Sequence, residues 1–220
     1  MTYPPEPWHL RGQLYLSVWL LPRARLPELP PGLAERARPI LIGGRAVVGT
    51  AWVRYESGGV LDYRELLSAV LVSVGARPGV SIVDIWVDSE ASRAGGRELW
   101  GIPKELAAFE FPDPSQRASA VTVAATTTGG VPVAEARLSA GTRLPGRWPF
   151  GFPVTQTLHG RVLGTPVRGS ARLRFGAARW HPNPAGPLRY LAGQRPWLTL
   201  SLTDFRLVFG RRPGDRHRGA

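Results

Sequence analysis

The sequence predicts a mainly β protein, an antiparallel sandwich or closed barrel, and three observations carry that reading. Eight or more short segments rich in β-branched and aromatic residues recur along the 220 residues. Glycine pairs at 43–44, 58–59 and 129–130 punctuate them. Few stretches repeat apolar residues at the three-to-four spacing of a helix, so any helices are few and short.

The elements follow in order. Residues 14–21 (Leu-Tyr-Leu-Ser-Val-Trp-Leu-Leu) read as a first strand. Residues 26–36 are punctuated by proline and hold at most a helical turn or two. Residues 40–42 and 46–55 form two strands about Gly43-Gly44, and Glu56-Ser-Gly-Gly59 closes that stretch. Residues 63–74 are apolar enough for a buried strand or a short helix, and periodicity does not arbitrate. Residues 80–87 alternate and end in Asp88, a strand with a polar exit. Residues 120–126 and 132–140 flank Gly129-Gly130 as a hairpin. Residues 162–167, 171–180 and 197–209 supply the last strands, the final one containing the strictly alternating Leu198-Thr-Leu-Ser-Leu-Thr203. The aromatic segment 148–153, Trp-Pro-Phe-Gly-Phe-Pro, reads as a pocket lining or a subunit contact. No linker or repeat divides the chain, so one domain is expected over 1–210, followed by a basic tail at 211–220.

Composition excludes several classes. Hydrophobic residues at 43% and charged residues at 20% are those of an ordinary globular chain. With no cysteine there is no disulfide framework, zinc ribbon or thiol nucleophile. No apolar run reaches the 18 or so residues of a membrane-spanning helix. Residues 14–21 lack the small-residue cleavage site of a signal peptide, so a cytoplasmic location is expected. His9, His159, His181 and His217 share no metal-ligand spacing, and neither a phosphate-cradling glycine loop nor a serine elbow is present.

The formal net charge is +12, but it is unevenly placed. Residues 1–136 are nearly balanced, whereas 137–220 carry 15 Arg against Asp204 and Asp215. Most of these arginines are spread along the chain rather than clustered as a phosphate-tracking surface would have them. A small anionic ligand or an acidic partner therefore accounts for the asymmetry better than nucleic acid.

The cations contain a sharper signal: 27 are arginine and one, Lys104, is lysine. Arginine stays protonated in a protein, whereas a lysine can shed its proton and attack a carbonyl. Lys104 follows Gly95-Gly-Arg-Glu-Leu-Trp-Gly-Ile-Pro103, with Trp100, Ile102 and Leu106 nearby. Apolar surroundings would disfavour the ammonium and lower the lysine's pKa. Arg97 and Glu98 read as a structural brace.

This segment, Gly-Arg-Glu-Leu, three residues, then Pro-Lys, resembles the acetoacetate decarboxylase family. Weaker likeness extends over most of the chain, including Pro4-Pro-Glu-Pro-Trp8, Tyr15 and Tyr55-Glu-Ser-Gly58. The resemblance implies a cone-shaped antiparallel β-barrel with the lysine inside, and a homo-oligomer. It implies a lyase in which Lys104 forms a Schiff base with a small oxo acid, without metal or organic cofactor. Decarboxylation or related aldolase or dehydratase chemistry would follow. Glu56, in the Glu-Ser-Gly stretch, matches an active-site acid, a candidate for proton transfer or substrate orientation, and Gln13, the substrate-binding candidate, stands near the place where the family's decarboxylases have an arginine that holds the substrate carboxylate. Two departures accompany it. Glu105 occupies the place of a second lysine, the cation that depresses the nucleophile's pKa in acetoacetate decarboxylase. Gln13 replaces a bidentate arginine with a neutral amide. The competing expectation is a non-catalytic barrel binding a small anionic or hydrophobic ligand.

Overall fold

The structure is a computed structural model and describes residues 2–112 and 119–211. The expected basic tail, apart from Arg211, lies outside the described residues. The strands and the α-helix are β1 (Trp8–Leu21), β2 (Ala37–Pro39), β3 (Leu41–Ile42), β4 (Arg45–Tyr55), β5 (Arg64–Val74), β6 (Arg77–Val87), α1 (Glu90–Trp100), β7 (Lys104–Glu110), β8 (Ala120–Thr127), β9 (Pro132–Arg143), β10 (Trp148–Leu158), β11 (Arg161–Pro182) and β12 (Leu198–Phe209), with single 3-10 turns at Arg23–Arg25 and Arg189–Leu191. The protein is mostly β, as expected. No helix among the described residues is long and apolar enough to cross a membrane.

The strands pair in a ring. β11, β12, β1, β4, β5 and β6 are joined by successive antiparallel ladders. β10 lies antiparallel to β11 along its whole length and meets β6 at Val154 and Val80, which completes a circuit of seven strands. A second route from β6 runs through β7, β8 and β9 back to the C-terminal half of β11. Two of these contacts, β6–β7 and β6–β10, are parallel, a departure from a purely antiparallel sheet.

Three local expectations change. Residues 63–74 resolve as a strand from Arg64, because both neighbours pair with it along most of its length. Segments 162–167 and 171–180 are parts of one strand of 22 residues. The 148–153 segment, not counted among the expected strands, opens the strand β10. Its prolines are tolerated because one side of β10 is almost free of ladder partners. His159 and Gly160, both at positive φ, make the tight connection from β10 to β11. Trp148 and Phe152 remain largely exposed on that strand.

Register across the ring separates two faces. Leu173, Leu202, Leu14, Val53, Glu65 and Val87 stand opposite one another on successive strands, from β11 to β6. The adjacent row is Arg174, Ser201, Tyr15, Trp52, Leu66 and Trp86. Neighbouring residues of a strand project to opposite faces, so these rows look into different spaces. On the second side Trp19, Trp52, Trp86 and Trp180 pack with the apolar residues of β8 and β9. On the first side Trp8, Tyr63, Ile85, Trp100 and Ile102 form a separate core that includes α1.

The helix α1 was not legible in the Gly95-Gly96 pair, which reads as a flexible loop. Packing explains those glycines. A Cβ on Gly95 would lie 2.5 Å from the Trp8 ring, and one on Gly96 would lie 2.7 Å from Cδ of Lys104. Alanine at 95 would gain about 1 kcal/mol of helix propensity, but overpacking against a buried indole costs about 1–3 kcal/mol. Gly95→Ala is therefore expected to lower the thermal midpoint. A midpoint equal to or above the wild type would show that Trp8 yields without cost.

Candidate active site

The site is assembled by the turn between α1 and β7. Ser89 caps α1, accepting the Ser92 N–H at 3.2 Å. The helix ends at Gly101, which takes the left-handed conformation (φ 65) and returns its N–H to the Arg97 carbonyl. A side chain at 101 would also strike the Thr157 carbonyl, 2.3 Å from the Cβ position. Pro103 then directs the chain into β7, whose first residue is Lys104. Arg97 reaches across this turn. Its Nε donates to the Lys104 carbonyl at 2.6 Å and its guanidinium pairs with Glu105. Glu98 instead accepts the Tyr3 hydroxyl at 2.8 Å. Arg97 thus braces the lysine's own backbone, in keeping with the structural role expected of it.

Lys104 is 4% exposed. Its Nζ donates to Glu65 Oε2 at 2.8 Å, Ser92 Oγ at 2.8 Å and the Tyr63 hydroxyl at 3.2 Å, and it stands 5.0 Å from the centroid of the Tyr63 ring. Glu65 is equally buried. It accepts the Tyr55 hydroxyl at 3.0 Å on Oε1 and the Tyr63 hydroxyl at 3.3 Å on Oε2, while the two tyrosine rings stack at 4.3 Å. The amine's three donors and both carboxylate oxygens are therefore occupied, as burial of a charged pair requires.

The electrostatics differ from the expectation of a lysine depressed by its surroundings. Burial is the largest single influence on Lys104 and does push its pKa down. The Glu65 charge, followed by Tyr63, outweighs it and holds the group above its ordinary 10.5. Burial and the same carboxylate push Tyr63 up to about 12, and they hold Tyr55 well above its ordinary value. Glu105, the next residue along the strand, is exposed and turned to the other face. The anion that governs the amine is Glu65.

Glu56 and Gln13 lie elsewhere. Gln13 Nε2 donates to Glu56 Oε1 at 2.9 Å, so the structure brings these two together, but neither is among the partners of Lys104. Gln13 stands opposite Arg54 in the β1–β4 ladder, and the β1 residue in the row of Glu65 is Leu14. Sequence reasoning missed Glu65, Tyr63, Tyr55 and Ser92. The available signal was the acid of Tyr63-Arg-Glu65 at the head of an apolar strand, since a carboxylate there needs a buried partner. Among the described residues, no cluster of three or more His, Asp or Glu side chains is placed to hold a metal ion.

Fold and site define a β protein organised about one buried lysine–carboxylate pair. Residues 13–174 match the family model of acetoacetate decarboxylase. The chain belongs to that family. The acetoacetate decarboxylase of Ralstonia nicotianae is 30% identical over 108 residues, 48% of this chain and 41% of that protein. Acetoacetate decarboxylase 3 of Mesorhizobium japonicum is 30% identical over 108 residues, 48% of this chain and 40% of that protein. The matched stretch thus spans about two fifths of these relatives. Among solved structures, acetoacetate decarboxylase from Legionella pneumophila superposes with a TM-score of 0.65 at 19% identity, covering 96% of this chain and 87% of that one. The enduracididine biosynthesis enzyme MppR, complexed with the condensation product of pyruvate and imidazole 4-carboxaldehyde, gives 0.61 at 16% identity, over 96% and 90% of the two chains.

Proposed function

We propose that the chain is a Schiff-base-forming enzyme that acts on a small oxo acid through Lys104, with Glu65 handling the proton. The buried Lys104–Glu65 contact at 2.8 Å carries this reading. A lysine held as an ammonium cannot attack, so the first step passes its proton to Glu65. In a site closed to water the neutral pair competes with the ion pair, because neither charge is then left to be solvated. The free amine adds to the keto carbon, and loss of water leaves a protonated imine. The C–C bond to the substrate carboxylate then breaks, CO2 departs, and the electron pair enters the imine as an enamine. Protonation of the enamine carbon and hydrolysis return the lysine. Aldol-type bond formation or dehydration would draw on the same imine. The family membership supports a 3-oxo acid substrate. MppR, a fold neighbour solved in complex with pyruvate, supports testing 2-oxo acids beside it.

The test is intact mass after incubation with a panel of 2- and 3-oxo acids and cyanoborohydride. The expected result is one reduced adduct, absent from Lys104→Arg, whose mass reports whether CO2 or water has been lost. With a single lysine in the chain, the α-amino group is the other amine to exclude. No adduct from folded protein with any acid of the panel would favour the non-catalytic binding barrel. With Glu65 handling the proton, Glu56→Gln should leave adduct yield within about twofold, whereas a large loss would restore Glu56 as the active-site acid first expected.

A further inference from the structure

The arginines of residues 137–220 are not used by this chemistry, and three of them converge. Arg143, Arg172 and Arg174 line a cavity of about 130 Å3 together with Thr203. Strand register builds it. Arg172 stands opposite Thr203 and Arg174 opposite Ser201 on β12, while Arg143 of β9 stands opposite Arg174 from the other side. Like charges opposite one another, or two residues apart on one face, repel. One carboxylate is close. Asp204 pairs with Arg147 and lies 3.7 Å from Arg172 and 3.9 Å from Arg206, so its charge is shared among three arginines. Neither Arg143 nor Arg174 has a carboxylate partner among the described residues. Arg174 is nonetheless held in place, its Nε donating to the Gly141 carbonyl at 3.0 Å. The cavity is therefore a concave space with incompletely neutralised guanidinium groups, that of Arg174 held in place, and a hydroxyl on its wall.

Its place in the fold separates it from the lysine. Arg174 belongs to the row of Tyr15 and Trp52, whereas Glu65 belongs to the row of Leu14 and Val53, on the opposite face of the same strands.

We propose that this cleft binds a compact dianionic oxyanion, a phosphate or the phosphoryl group of a small phosphomonoester. Three guanidinium forks match an anion with at least three acceptor oxygens better than a monocarboxylate, which offers two. Thr203 supplies a further donor. The volume fits one such group.

Calorimetric titration of the full chain with inorganic phosphate, at low and at physiological ionic strength, tests this. The expected result is saturable one-to-one binding, weakened about tenfold or more in Arg143→Gln and in Arg174→Gln, and unchanged in Arg77→Gln, an exposed arginine of β6. Acetate should bind at least about tenfold more weakly than phosphate. Glycerol 3-phosphate forms a second arm: tighter binding than phosphate identifies an esterified ligand, and weaker binding the free ion, either supporting the site. Absence of saturable binding overturns the proposal, as does binding unaffected by both cleft variants or equal affinity for acetate. Thermal midpoints of the variants separate a lost site from a lost fold, and exposed Arg143 provides the variant least dependent on packing.

Discussion

Replacing Glu65 by glutamine is expected to move the onset of imine trapping at Lys104 to lower pH while cutting turnover by about two to four orders of magnitude. The direction follows from the influences acting on the amine. Burial is the largest and favours the neutral form; the Glu65 charge, with Tyr63, opposes and outweighs it. Glutamine removes the charge but keeps an oxygen able to accept from Nζ. Burial then dominates, the lysine's pKa falls below its ordinary 10.5, and more of it is free amine near neutrality. Cyanoborohydride trapping reads imine formation and so follows that fraction. Turnover needs a group to accept the lysine's proton and to return one, which glutamine cannot do. A trapping profile unmoved or moved to higher pH would show that Glu65 does not govern the amine. A downward shift with full turnover would place the proton on another group.

The opposed shifts show how legible the site was in the sequence. Lys104 stands out because every other cation of the chain is arginine, and the Pro-Lys segment fixes its place at a strand entrance. Its partner is hidden in a run whose apolar content suits strand or helix alike. Once that run is a strand, alternation sends Glu65 with Leu67 to one face and Leu66 to the other. Local sequence does not decide between those states. Pairing with β4 and β6 does, and those contacts are remote in the chain. The strands with clean alternation and glycine turns, such as β4, β8 and β9, needed no such help. The helix was obscured for a related reason. Gly95 and Gly96 argue against it locally, but Trp8 and Lys104 come so close that a side chain at either position would force a shift. Its boundaries were present in Ser89, Gly101 and Pro103 all along. Glu56 was drawn from the Glu-Ser-Gly likeness, and in the folded chain its partner is Gln13.

The largest effect on stability should come from separating the pair. Lys104→Met or Glu65→Leu alone is expected to cost about 3–5 kcal/mol, while the two together should fold within about 1–2 kcal/mol of the wild type. Each single change leaves one buried charge without its counter-charge, and that cost exceeds the net worth of the pair, which has already lost its hydration. The two variants should respond oppositely to pH. In Glu65→Leu the remaining lysine sits in a site that disfavours the ammonium, so the unfolded chain binds the proton more readily and stability rises with pH. In Lys104→Met the remaining carboxylate is relieved by taking up a proton, so stability falls as pH rises. The wild type behaves differently from both. Its lysine is raised above 10.5 by folding, so the contribution of the pair is complete below that value and is lost as pH climbs through the folded one. Urea unfolding of the four proteins between about pH 6 and pH 9 measures the single and double costs and the opposed slopes, with the contribution of the wild-type pair constant over that range. Additive single and double effects would mean that the contact contributes nothing as a pair. Parallel pH slopes for the two single variants would mean that neither charge is left buried, and that water reaches the lysine from the interior of the ring.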